Sequence, residues 1–513
     1  MSTKAAENLS LPGCKPLSID EFPISVRERF YTKSSSNTIF GIVSTVLAVG
    51  LTAIIMPVIV VRFGADNWAR YAFFLLYVAV LSFVESALQM YSLQRTATAN
   101  STMTSYYWLR DKQILVVFFA LLILGGVGIG INETRGLMLD SDLSKMLMLA
   151  FVNVFPRGAS SVMKGAMLGL NNQMRYYVTT TLLNLSRPLY LLLILLFFQP
   201  SLVNLVFLYV IFSFAEVVVY LLLYASRQPT RMFPTKTKEV DMNLLVILLL
   251  SCGMSVIAVN LDKILVFYFE SLTLASEYTF ASSVASLLYM FANVAIAAYG
   301  PKVKELFLHD DLQEMRRHLY GISFINNFLV MLAIAAFYFA GDYLLMAMST
   351  NLDTSNVMKT FLVLSAACLM SSNLWIPGIF ATSMGQASFN VKANLLFMAT
   401  YIVVFYSFDR QSGQQVFALS MLLASVVTTT VGIVYFKFTI FQLSISRYVI
   451  ALFIFPFVFV GILVLPLFWL DAQFKSLWVN LGYMAAISVV GGGIWWLGGD
   501  SLKPRFRALL EKL

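Results

Sequence analysis

Among the ionisable residues that fall within apolar stretches of this 513-residue chain, the informative set is Glu85, Arg157, Lys164, Arg187, Glu216, Asp262 and Lys263. A charge deep in a bilayer costs at least about 2.5–3.5 kcal/mol on insertion scales, so it faces either a protein partner or a watery cavity. Arg157 and Lys164 are seven positions apart, nearly two helical turns and therefore on one face. Asn153 and Asn184 sit about one turn before Arg157 and Arg187 and widen the polar face. The result is a cationic stripe from mid-stretch to one mouth. Guanidinium forks keep their charge and pair bidentately with phosphate or carboxylate. Arg157, Arg187, Lys164, Asn153 and Asn184 are therefore candidate contacts to an anionic cargo, with Trp375 as an aromatic plate for a sugar ring. A plainer reading stays open, in which the arginines only neutralise Glu85 or Glu216 between packed helices and Lys164 lies among lipid head groups.

The carboxylates suggest a second role. Glu85, Glu216 and Asp262, with Lys263 beside the last, are candidates for coupling transport to an ion gradient, because burial beside a basic cavity shifts protonation. Asp262 and Lys263 are neighbours and point about 100° apart on a helix, so they cannot serve one spot. Pro156 and Pro377 each remove a backbone donor inside an apolar stretch and are candidate hinges. Gly165 and Gly169 form a small-xxx-small pattern suited to close helix packing.

Hydrolytic and metal chemistry have little support. The two histidines, His309 and His318, fall in one charged connector that reads as a solvated surface segment. Cys14, Cys252 and Cys368 form no CxxC or ligand cluster. No GxxxxGK[ST] loop is present. The expectation is a chain with no catalytic residues, no metal and no cofactor.

The elements that position these residues follow from hydropathy. A membrane span needs about twenty mostly apolar residues, and fourteen such stretches read as 37–62, 69–90, 113–132, 144–168, 176–199, 201–225, 242–268, 272–300, 319–346, 358–384, 388–408, 414–436, 446–470 and 476–497. Of the 35 Lys and Arg residues, 25 fall in the tails and alternate connections on one side, against seven on the other. That bias marks the cytoplasm and predicts both termini there. With 59% hydrophobic and 12% charged residues, the chain is not a soluble domain. The topological bias also accounts for the +9 net charge, so nucleic acid is not an expected partner. Residues 1–36 lack the apolar core of a cleaved signal.

Weak internal similarity points to a repeat. Phe63 and Tyr71 align with Phe269 and Tyr278 at displacements of 206 and 207; Gly158 and Gly165 align with Gly378 and Gly385 at 220. The predicted organisation is a tail (1–36), a first six-helix lobe (37–225), a basic linker (226–241), a second six-helix lobe (242–436), two further helices (437–497) and a tail (498–513). It is an all-α polytopic membrane protein with two pseudo-symmetric lobes around a central cavity.

The chain resembles the polysaccharide and O-antigen flippases of the multidrug/oligosaccharidyl-lipid/polysaccharide exporter superfamily. The resemblance rests on layout and on short patterns: Phe63-Gly64 before Tyr71, Gly165 to Gln173, Asn260-Leu261-Asp262-Lys263, and Tyr278 through Pro301. It implies two lobes facing each other as a V, alternating access, and movement of undecaprenyl-pyrophosphate-linked oligosaccharide from the cytoplasmic to the outer leaflet of a bacterial inner membrane. Membrane lipids and other polysaccharide-assembly proteins are the implied partners. A cation-coupled drug or metabolite exporter of the same superfamily is the alternative, since the fold does not choose the cargo. A membrane glycan polymerase or transferase would need a catalytic acid and a large outer loop, neither of which the sequence offers.

Overall fold

The computed structural model describes residues 58–98, 141–169, 173–198, 200–225, 242–289, 312–347, 352–383, 388–408 and 413–436, with Ile55 and short pieces between 449 and 465. Among the described residues there are ten helices and no strand: α1 (Ala65–Thr98), α2 (Ser141–Gly169), α3 (Gln173–Phe197), α4 (Leu202–Ala225), α5 (Met242–Phe269), α6 (Leu272–Leu287), α7 (Leu312–Ala347), α8 (Thr354–Ser383), α9 (Ser388–Ser407) and α10 (Gln415–Phe436). All but α6 contain a stretch long and apolar enough to cross a membrane, and these nine stretches match nine of the predicted spans to within a few residues. α6 covers the first half of the predicted 272–300 span. Spans 113–132 and 476–497, most of 37–62, both tails, the 226–241 linker, His309, Pro301, Gly385 and Cys14 lie outside the described residues. So does the side chain of His318.

One packing scheme occurs twice. In the first half α2 has α1 and α4 as its main neighbours; in the second half α8 has α6 and α10. α1 and α6 are the helices related by the 206–207 displacement, and α2 and α8 those related by 220. Close approach of α2 to α1 depends on Gly165. A Cβ there would run into the Gln89 carbonyl and come within 2.9 Å of Ser92 Cβ. The Ser92 hydroxyl then donates to the Val162 carbonyl at 2.8 Å, fastening the same contact. In the second half, buried amides fasten α7 to α8. Asn327 and Asn373 exchange reciprocal hydrogen bonds of 3.0 and 3.1 Å, and Asn326 donates to Ser372 at 2.9 Å.

The halves meet where α1 packs on α5 and α6. Phe73 stands edge-on to Phe267 with centroids 4.9 Å apart, and Trp68 edge-on to Phe280 at 5.9 Å. These rings lie near the start of α1, the end of α5 and the start of α6, the end of the bundle away from the Lys/Arg-rich connections. Farther along, a Cβ on Gly253 would come within 3.6 Å of the Phe83 ring, so α1 and α5 stay close to mid-length. Opposite this packed interior, α3 turns Leu182, Leu189, Leu193 and Leu196 outward. Such an apolar face suits lipid.

Candidate functional site

α4 carries Tyr209, Ser213, Glu216 and Tyr220 at spacings of four, three and four, which places all four on one helix face. The Glu216 carboxylate on this face holds two cations. Its Oε1 lies 2.7 Å from Lys164 Nζ of α2, and its Oε2 lies 2.6 Å from Arg187 Nη2 of α3. Arg187 also donates to the Ser213 hydroxyl at 3.3 Å and the Tyr209 hydroxyl at 3.4 Å, with its guanidinium 5.0 Å from the Tyr209 ring centre. Arg157 of α2 pairs through Nε with Glu85 of α1 at 2.9 Å, and its Nη1 donates to the same Tyr209 hydroxyl at 3.5 Å. One phenol oxygen thus joins two ion pairs into a single network.

The polar chain continues toward the basic end of the bundle. Lys164 lies 5.2 Å from the centre of the Tyr220 ring, and the Tyr220 and Thr180 hydroxyls share a hydrogen bond of 2.9 Å. Gln89 Nε2 donates to the Tyr176 hydroxyl at 3.5 Å. Prolines flank both arginines: Pro156 precedes Arg157 and Pro188 follows Arg187. Each removes the N–H that would have bonded to a carbonyl one turn earlier, those of Val152 and Asn184. Each helix therefore runs on through the cluster with one backbone hydrogen bond missing.

Accessibility divides the cluster by charge. The side chains of Arg157, Arg187 and Lys164 remain 23%, 19% and 17% accessible, whereas Glu85 and Glu216 are 14% and 8% accessible. Each cation is thus somewhat more accessible than the carboxylate it pairs with. Three cations against two carboxylates leave one positive charge in excess. Among the described residues, Arg157 Nη2 donates to nothing and Lys164 uses a single donor, so both retain hydrogen-bonding capacity.

Five of the predicted residues, Glu85, Arg157, Lys164, Arg187 and Glu216, come together here. Asn153 shares their stripe but is fully buried, with its Oδ1 unpartnered among the described residues. Asn184 is exposed and stands outside the hydrogen-bonded network. Asp262 and Lys263 belong to the second half and diverge as adjacent helical residues must. Asp262 accepts from the Tyr278 hydroxyl at 2.7 Å, its other oxygen unpartnered and buried, while Lys263 donates to Asn260 at 3.3 Å. Trp375 also sits apart from the cluster. It stacks on Tyr289 with centroids 4.7 Å apart and lines a hollow of about 30 Å³ with Ser371, Asn394, Ser425 and Thr428. That space is water-sized, and one face of the Trp375 indole is covered by Tyr289. Pro377 lies within α8, on the second-half helix related to the one holding Pro156.

Tyr209, Ser213, Tyr220, Gln89, Tyr176 and Pro188 join the site without having been singled out in the sequence. The α4 residues had a signal, a polar stripe at helical spacing ending in Glu216. Among the described residues no group of three side chains could hold a metal ion.

No protein-family profile matches the chain, and no curated protein matches it. Solved structures do. A multidrug resistance MATE family transporter of the MOP superfamily, in an inward-facing conformation, superposes with a TM-score of 0.58 at 12% identity, over 78% of this chain and 97% of the other. The eukaryotic MATE transporter AtDTX14 gives 0.59 at 10%, over 82% and 99%. A MOP superfamily transporter from Pyrococcus furiosus, described as having a binding pocket of reverse polarity that suggests a different function, gives 0.55 at 11%, over 82% and 96%. At these identities the likeness concerns architecture, and the architecture of this chain is that of the MATE transporters of the MOP superfamily.

Proposed function

We propose that this protein is an alternating-access carrier that moves an anionic, lipid-linked oligosaccharide from the cytoplasmic to the outer leaflet of a bacterial inner membrane. The observation that carries this reading is the cationic cluster, in which Arg157, Arg187 and Lys164 outnumber their carboxylates and are each more accessible than the carboxylate they pair with. A pyrophosphate linking lipid and sugars presents two negative groups to Arg157, Arg187 and Lys164. Each charge-assisted hydrogen bond contributes about 1.5–3 kcal/mol. The polyprenyl tail stays in lipid, and no covalent step is involved. Both termini lie on the cytoplasmic side, and Pro156 and Pro377 bend the two halves.

A second reading is a cation-coupled drug or metabolite exporter. It draws support from the multidrug transporters that share the architecture and from the buried carboxylates Glu85, Glu216 and Asp262, any of which could bind a coupling ion. Proteoliposomes containing a fluorescent polyprenyl-pyrophosphate sugar separate the two. Leaflet transfer lost with Arg157→Ala at matched protein level supports the flippase. Transfer absent from wild type, together with accumulation of an organic cation under a pH or sodium gradient, supports the exporter.

A further inference from the structure

Glu216 occupies the atoms that a cargo phosphate needs. Its two oxygens engage Lys164 and Arg187 at 2.7 and 2.6 Å, which makes the carboxylate an internal stand-in for the anion. The other two candidate coupling carboxylates lack this position. Glu85 is paired with Arg157 alone, and Asp262 is held by a tyrosine hydroxyl in the other half. We infer that Glu216 is a displaceable counterion, so that seating an anion on Lys164 and Arg187 forces the released carboxylate to take up one proton.

The geometry supplies the reason. The Glu216 side chain is only 8% accessible, and a buried carboxylate deprived of both cations is an uncompensated charge that neutralises instead of persisting. The charged and titratable groups around it are few. α2 presents Lys164 and, across Tyr209, Arg157; α3 presents Arg187 and, beyond Thr180, Tyr176; α4 itself adds Tyr209 and Tyr220. Glu85 of α1 lies behind Arg157 and remains paired with it. Once the anion holds Lys164 and Arg187, the cation of this set that remains near Glu216 is Arg157, and its charge is already committed to Glu85. The proton comes from water on the side the cluster faces and leaves when the anion departs and the pairs re-form. Cargo loading is thereby linked to proton binding with no separate proton site.

This inference rests on the anion-carrier reading, and one experiment distinguishes their failures. P1,P2-dimethyl pyrophosphate is a soluble diester whose charge is fixed across neutral pH, so any proton taken up belongs to the protein. Titrating it into full-length protein in nanodiscs, in two buffers of different ionisation enthalpy, counts protons per binding event. About one proton taken up per diester is expected. Glu216→Gln should bind more tightly, with proton uptake close to zero. Binding by wild type with no proton uptake overturns the inference and leaves the carrier reading standing, whereas no binding overturns both. Should Glu216→Gln fail to fold, the wild-type proton count alone decides.

Discussion

Arg157 and Arg187, from two different helices, converge on the hydroxyl of Tyr209, 3.5 and 3.4 Å from their Nη1 atoms. Two like charges are thus held side by side, Arg157 compensated by Glu85 and Arg187 by Glu216, which it shares with Lys164. Tyr209→Phe keeps the ring beneath Arg187 and removes the shared acceptor. The expected outcome is normal expression with leaflet transfer reduced about five- to thirtyfold, equivalent to about 1–2 kcal/mol for one buried hydrogen-bonded hub. Initial rates in proteoliposomes at matched protein content test it.

Arg157→Ala leaves the Glu85 carboxylate buried and unpaired. Breaking a buried pair by removing one partner costs about 3–5 kcal/mol, so melting in detergent should drop clearly. In the double variant Glu85→Gln/Arg157→Ala most of that stability should return while transport stays lost. Recovery of both would make Arg157 a packing residue and would argue against cargo contact.

The glycines provide a contrast within one fold. Gly165→Ala drives a methyl into the backbone of α1 and should destabilise by about 1–3 kcal/mol through overpacking, seen as lower yield and melting temperature. Gly321→Ala, with nothing within 4 Å of the added Cβ, should leave both unchanged.

Asn327 and Asn373 are a matched pair, so the costs of removing them should not add. Asn327→Ala should cost about 1–3 kcal/mol because the partner amide is left unsatisfied. Asn327→Leu/Asn373→Leu should cost less than the sum of the single leucine variants. Thermal unfolding of the four proteins closes the cycle.

Span positions were legible because crossing a bilayer sets the same length and composition for every helix, and nine spans agree with the structure on that ground alone. The Asn153, Arg157 and Lys164 stripe was legible for a similarly local reason, helical periodicity. Partner choice was not. That Lys164 and Arg187 share Glu216 depends on how α2, α3 and α4 dock, which residue spacing within each helix does not specify. Tyr209 escaped notice because a tyrosine in a span is ordinarily an interfacial or packing residue. Its neighbours on the face, Ser213 and Glu216, held the clue. The stacking of Trp375 on Tyr289 was hidden for the same reason as partner choice, since it depends on how neighbouring helices dock.

Trp68 is completely buried where the halves meet, and its indole N–H has no acceptor among the described residues. A donor deprived of both water and protein weakens the very contact that the surrounding rings create. Separation of α1 from α6 would hydrate that nitrogen. The rings that join the two halves therefore enclose one donor whose satisfaction would favour their separation.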